Sequence, residues 1–254
     1  MYKPFKTSVE NGIAEMILDH PPVNAFDSAG WFAIAAQIDA LGENEQVRVI
    51  IIAATGKGFC AGVDIKELAA EPNKIVDVNK GNYETFRAIH RNPKPVIVAL
   101  HSFVLGGGIG MAGAADILIA SECTRFGVPE IDRGAMGGGA HLQRMFPVQK
   151  VRHMYFTGEF IDAQEAYRLG AVEKVVPLQE LLPEARKIAA KIAEKSPAMV
   201  KLAKEALSGI EDGNLEDKYR WEQGFTLEAY TLGDSQESRD AFVGKRDANF
   251  AGEQ

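Results

Sequence analysis

The sequence is poor in the residues that build metal and disulfide centres. Among 254 residues there are two cysteines, Cys60 and Cys123, and five histidines. The cysteines form no C-x-x-C pair and show no metal-ligand spacing, so neither a disulfide scaffold nor a metal site is expected. Free thiols in a reducing cytoplasm are the simple reading. Positive charge is also scarce, with 28 Lys and Arg against 35 Asp and Glu, a net charge of −7. A phosphate backbone wants a basic face, so nucleic acid is not an expected partner. A small polyanion held by a few local lysines remains open. No apolar run approaches the length of a membrane span, and no membrane association is expected. Met1 to Lys6 lacks the apolar core of a secretory signal, which points to the cytoplasm. The motifs G-x-x-x-x-G-K-[ST], G-x-S-x-G and H-E-x-x-H are missing too.

What is present is a soluble globular pattern, 46% hydrophobic and 25% charged, with length for one or two domains. Thr7–Glu10 and Ile13–Asp19 flank Asn11-Gly12, the signature of a hairpin. Asp27 and Ser28 cap a helix to about Leu41, with Trp31, Ile34, Ala35, Ile38 and Leu41 on one stripe. Val47–Ala54 is a β-branched run, as expected of a strand covered on both faces. Further strands are read at Pro95–Leu100, Asp116–Ser121 and Val172–Val176, with a helix over Tyr83–Ile89. Leu181–Leu207 reads as helical with a break near Ser196-Pro197, and 217–250 as helices that dock on something.

Glycine-rich loops punctuate this α/β pattern. One is Thr55–Leu68. Another is Leu105-Gly106-Gly107-Gly108-Ile109-Gly110, between an apolar strand and a helix of small residues. Strand, glycine loop and helix in succession, twice, suggest consecutive βα units. Glycines leave the main chain unshielded, and a helix start leaves N–H groups unpaired. Such a turn can hold an anion or a developing oxyanion; a glycine-lined packing contact is the alternative. Gly108-Ile109-Gly110-Met111-Ala112-Gly113 also fits the dinucleotide pattern G-x-G-x-x-G, with Glu130 and Asp132 about twenty residues on. Two facts disfavour it. His101–Leu105 separates the strand from the first glycine, and the acids do not lie at the tip of the next strand. An NAD-binding oxidoreductase is therefore a secondary reading.

The two loops carry a resemblance. Phe59-Cys60-Ala61-Gly62-Val63-Asp64-Ile65-Lys66-Glu67 resembles the first loop of the crotonase (enoyl-CoA hydratase/isomerase) superfamily, and Leu105–Gly108 its second. Phe126–Glu130 and Ala241–Arg246 are similar to it as well, so the resemblance spans essentially the whole chain. It implies a crotonase-like spiral of ββα turns over 1–195 and a C-terminal helical region over 196–254 that builds a homotrimer or homohexamer. It implies an acyl-CoA thioester as substrate, coenzyme A being part of that substrate and no further cofactor being needed. The backbone N–H groups of Val63 and Gly107 then match the donors to an enolate oxyanion, although 44 residues separate them. Ala61, Asp64, Ile65, Lys66, Gly106, Gly110, Phe242 and Lys245 match positions around the substrate. The family's hydratases use two glutamates. The second matches Glu130, but the first falls on Gly110. A single acid/base, Glu130, is left, with Asp132 and His141 as possible assistants.

Gly110 and Gly137-Gly138-Gly139 are expected to leave room for a bulky acyl group. Gly110, Glu130–Ala135, His141 and Glu222–Thr226 resemble a branch that opens a ring in a β-oxo acyl-CoA from steroid breakdown. Hydration of an enoyl-CoA and ring-opening C–C hydrolysis both remain open, as does a non-catalytic acyl-CoA-binding relative.

Overall fold

The computed structural model describes residues 3–130, 137–211, 232–234, 237, 241 and 246–250. The chain opens with β1 (Phe5–Glu10) and β2 (Ile13–Leu18), paired antiparallel with Glu10 opposite Ile13. Asn11 and Gly12 both take positive φ, 52° and 77°, which a two-residue turn matched to strand twist requires. A two-residue strand β3 (Ala25–Phe26) leads into α1 (Ser28–Glu43), where the Asp27 carboxylate accepts the Gly30 N–H. All five apolar stripe residues of α1 are buried.

Three turns of similar build follow. The first is β4 (Val49–Ala54), β5 (Gly62–Val63), α2 (Ile65–Ala70) and α3 (Ile75–His90). The second is β6 (Val96–Leu100), β7 (Phe103–Leu105) and α4 (Gly107–Ala114). The third is β8 (Ile117–Ser121), β9 (Arg125–Gly127) and α5 (Gly139–Met145). The chain continues through α6 (Val148–Thr157), β10 (Ile161–Asp162), α7 (Ala163–Arg168) and β11 (Lys174–Val176). It goes on to α8 (Leu181–Ala193) and α9 (Pro197–Ile210).

The main sheet has six strands in the order β1-β2-β4-β6-β8-β11, parallel from β2 onward. Each new strand joins beside the last, as in a spiral and unlike a doubly wound sheet with a reversal point. The second strands of the turns pair apart from the main sheet, β7 and β9 with β10 in a three-stranded sheet and β5 with β3. Both faces of the main sheet are covered, as the β-branched runs require. Ile50, Ile52, Val96 and Val98 pack toward Trp31, Ile34 and Ile38, whereas Ile51, Ile97 and Ile119 pack on Leu181, Ala185 and Ala189 of α8. Among the described residues, no helix is long and apolar enough to cross a membrane.

The structure differs from expectation in one helix and in several short strands. The helix expected over Tyr83–Ile89 begins at Ile75, because Gly81, which weakens the sequence signal, is where α3 meets α1. A Cβ at Gly81 would lie 2.8 Å from Trp31 Cβ. The short strands β3, β5, β7, β9 and β10 are too brief for an alternation to register. The expected break at Ser196-Pro197 is present, and the Ser196 hydroxyl accepts the Met199 N–H to start α9. From α9, the buried Lys204 ammonium reaches back to Asp116 at 2.8 Å and to the Ile89 and Lys94 carbonyls.

Candidate active site

The two glycine loops are laddered together. Cys60 forms a parallel bridge with Val104, and the Leu105 N–H donates to the Cys60 carbonyl at 2.9 Å. Three residues beyond each bridged residue stand Val63 and Gly107. A 44-residue separation is closed in this way. Asn24 braces the first loop. Buried and at φ 53°, it donates from Nδ2 to the Thr55 and Gly58 carbonyls, at 2.9 and 3.0 Å. Glu67, at the end of the first motif, takes the Ser28 N–H and hydroxyl at 2.8 and 2.7 Å and ties α2 to the start of α1.

Backbone direction follows from the pairing. The Asp64 N–H donates to the Phe26 carbonyl of β3 at 2.8 Å, so strand alternation turns the Val63 N–H to the opposite edge. Gly107 opens α4, and the first intrahelical bond belongs to Gly110, whose N–H reaches the Gly106 carbonyl at 3.1 Å. The Gly107 N–H is thus one of the orphan donors of a helix start. Gly62 is at φ 93°, and a Cβ there would lie 3.3 Å from the Gly107 nitrogen, so this contact admits glycine alone.

Glu130 completes the cluster. It follows β9 and is half-buried, with its carboxylate over the second loop. A Cβ at Gly106 would be 2.2 Å from Glu130 Oε1 and 3.7 Å from the Gly62 Cα. Gly138, at φ 74°, closes the far side near Ile109, Val128 and the Gly106 carbonyl. The structure therefore brings together Gly62-Val63, Gly106-Gly107 and Glu130.

The other expected positions distribute around this cluster. Ala61 and Asp64 are half-buried beside it, the Asp64 carboxylate accepting the Lys66 N–H at 2.9 Å. Ile65 and Lys66 are exposed on the first turn of α2. Asp132, Phe242 and Lys245 lie outside the described residues, as does most of 196–254 beyond α9. His141 meets the far end of α4. A Cβ at Gly113 would lie 2.6 Å from His141 Cβ, and the imidazole packs edge-on to Phe86 with ring centres 4.7 Å apart. Burial, with Arg144 and His90 nearby, pushes its pKa below the usual imidazole value. The Cys60 thiol, fully buried under the first loop, is pushed up to about 12 by that burial.

One expectation is corrected. Gly110 does not leave empty room, because a Cβ there would fall 2.1 Å from Phe86 Cζ. Gly107, Gly110 and Gly113 recur every three residues and so share one face of α4. That face takes Trp31, Phe86 and His141 in turn. Gly108, on another face, meets the Cys60 carbonyl. The dinucleotide-like spacing is thus a packing pattern that serves the chain's own side chains. Sequence reasoning missed Phe86 and Asn24. The three-residue glycine period was the available signal for Phe86; Asn24 had none.

Comparison with known proteins shows the family. The model of the enoyl-CoA hydratase/isomerase family matches residues 8–253. A Rhodococcus jostii protein named (7aS)-7a-methyl-1,5-dioxo-2,3,5,6,7,7a-hexahydro-1H-indene-carboxyl-CoA hydrolase is 44% identical over 93% of this chain and 93% of its own. The Mycobacterium tuberculosis protein of that name is 42% identical over 94% of this chain and 98% of its own. Human enoyl coenzyme A hydratase domain-containing protein 3 superposes with a TM-score of 0.93 at 30% identity, over 97% of this chain and 100% of that one. The chain belongs to the enoyl-CoA hydratase/isomerase, or crotonase, family. It is an enzyme of that family with the crotonase fold.

Proposed function

We propose that this enzyme adds water to a CoA thioester whose acyl group is bulky and carbocyclic, opening a ring by C–C hydrolysis. The observation that supports the reading is that the Glu130 carboxylate and the Gly62 α-carbon both lie against Gly106, with Val63 and Gly107 the next residue in each loop. The Val63 and Gly107 N–H groups hold the thioester oxygen. Fixed main-chain donors need no reorganisation as charge develops there, and one such donor is typically worth about 2.7–4 kcal/mol of the barrier. Glu130 takes a proton from water as the oxygen attacks a ring ketone. The C–C bond then breaks, its electron pair enters the thioester enolate, and the α-carbon regains a proton from Glu130. A carboxylic acid and a saturated α-carbon result, with one water consumed. The 44% identical relative is named a hydrolase of a bicyclic dioxo acyl-CoA, which favours this over simple enoyl-CoA hydration.

In this reading Lys66, Phe242 and Lys245 bind the coenzyme A part, and Ala61, Asp64 and Ile65 line its entry. Asp132 and His141 assist around Glu130, His141 by backing the Phe86 ring. The region 196–254 assembles a homotrimer or homohexamer in the cytoplasm. The test is a mass-spectrometric panel of acyl-CoA thioesters, including crotonyl-CoA and a bicyclic β-oxo acyl-CoA. A gain of one water on the cyclic substrate, abolished by Glu130→Gln, is expected. Ordinary hydratase rates on crotonyl-CoA that survive Glu130→Gln would overturn the reading.

A further inference from the structure

We propose that Phe86 determines acyl-group specificity. Interlocked with Gly110, one turn of α4 beyond the Gly106-Gly107 pair, it lines a cavity that lies among α3, α4 and α5. The inference rests on the reading of the site as one for acyl-CoA thioesters. Its geometry is independent of that reading. Gly110 is buried, one turn of α4 beyond the Gly106-Gly107 pair. The Phe86 ring occupies the volume any side chain at 110 would need, with Cζ, Cε2 and Cε1 all within 2.5 Å of a Cβ placed there.

The ring is held from two sides. Trp31, fully buried and itself in contact with Gly107, meets it edge-on at 6.0 Å and 78°; His141 meets it at 4.7 Å and 67°. Edge-to-face contacts on both sides fix its orientation. Phe86 also lines a cavity of about 340 Å³ with Tyr83, Gly113, Ala114, Ala140 and His141. From α4 only the small Gly113 and Ala114 line it, so on that side this ring sets the boundary, while Arg87, His90, Arg91 and Arg144 line the rest.

That boundary is hydrocarbon. The ring offers neither a second acid nor a hydrogen-bond partner. An apolar ring system packs against such a wall, and a short linear acyl group leaves it uncovered. Discrimination in an apolar pocket amounts to roughly 10–200-fold per methylene-sized change.

The test compares kcat/KM on a bicyclic β-oxo acyl-CoA and on crotonyl-CoA for the unmodified enzyme, Phe86→Leu and Phe86→Ala. The expected result is a loss of about tenfold or more in the cyclic-to-linear ratio, carried mainly by KM for the cyclic substrate. A folded variant with an unchanged ratio overturns the proposal alone. An unmodified enzyme that turns over no CoA thioester overturns the acyl-CoA reading and this proposal with it. A second measurement needs no substrate. Gly110→Ala lowers the melting temperature, and Phe86→Ala combined with Gly110→Ala recovers part of that loss. Strict additivity of the two substitutions shows that no interlock exists.

Discussion

The Glu130 carboxylate rests on the α-carbon of Gly106, so closely that a methyl group at 106 would lie 2.2 Å from Oε1. Gly106 also stands at φ 50° and ψ −110°, outside the regions that side chains tolerate. Gly106→Ala therefore has two costs. The backbone strain is about 1–3 kcal/mol, and the carboxylate must move away from the helix start that carries the Gly107 N–H. We expect a lower melting temperature together with a fall in kcat of at least about a hundredfold, the size of losing a positioned acid/base. Full activity in this variant would separate Glu130 from the chemistry.

Glu130→Gln keeps the shape of the side chain and removes its capacity to take a proton. In the mechanism above it lowers kcat by roughly 10²–10⁴-fold. KM changes little, because the thioester oxygen is held by main-chain donors that the substitution does not touch. Steady-state kinetics on the best substrate of the acyl-CoA panel checks both halves. A rise in KM at constant kcat would assign Glu130 to binding instead.

The main sheet was legible because its strands are long and unbroken. Val49–Ile52 and Val96–Leu100 are fully buried runs, and burial on both faces leaves no alternation to misread. Residues that act through the fold were not legible. Val63 and Gly107 meet because Cys60 bridges Val104, a long-range pairing that no local pattern encodes. The motif alone could suggest them only by resemblance. The fate of Gly110 was misjudged for a related reason. An absent side chain reads as space, but Phe86 arrives from another helix to fill it. The glycines of α4 looked like a nucleotide fingerprint until their faces were separated, one toward Cys60 and the other toward rings.

The two thiols should differ sharply in reactivity. Cys123 is exposed, with the Ser121 hydroxyl 3.1 Å from its sulfur. Cys60 is buried beneath the first loop and accepts the Gly62 N–H at 3.3 Å, and burial holds its pKa at about 12. The thiolate is the reactive form. Alkylation of the folded enzyme near neutral pH is expected to label Cys123 alone, with Cys60 labelled only after denaturation. Peptide mapping distinguishes them. Rapid labelling of Cys60 in the native enzyme would mean that the ladder between the two glycine loops opens readily. The preorganisation assigned to Val63 and Gly107 would then fail.

Arg144 supplies a pH-dependent element at the other end of α4. Its guanidinium donates to the Gly113 and Ala115 carbonyls, at 2.5 and 2.8 Å, and pairs with both oxygens of Glu211 at 2.7 and 2.9 Å. The pairing joins α5 to the end of α9 and satisfies carbonyls that α4 leaves open. The hydrogen bonds from Arg144 hold the Glu211 carboxyl below its ordinary value of 4.5. A carboxylate depressed in the folded state contributes its stability above the unfolded value and loses it as pH falls through the folded one. Both partners are partly exposed, 29% and 38%, so the contribution is that of a surface pair, about 0.2–1 kcal/mol. Glu211→Gln is expected to lower stability by this amount near neutral pH. The difference from the unmodified enzyme should shrink steadily as pH falls below about 4.5. Paired urea titrations across that range measure it. Other paired carboxylates, such as Glu165 and Glu237, titrate alike in both proteins and cancel in the difference. A difference that stays constant through the acid range would show that Glu211 acts by packing and not by its charge.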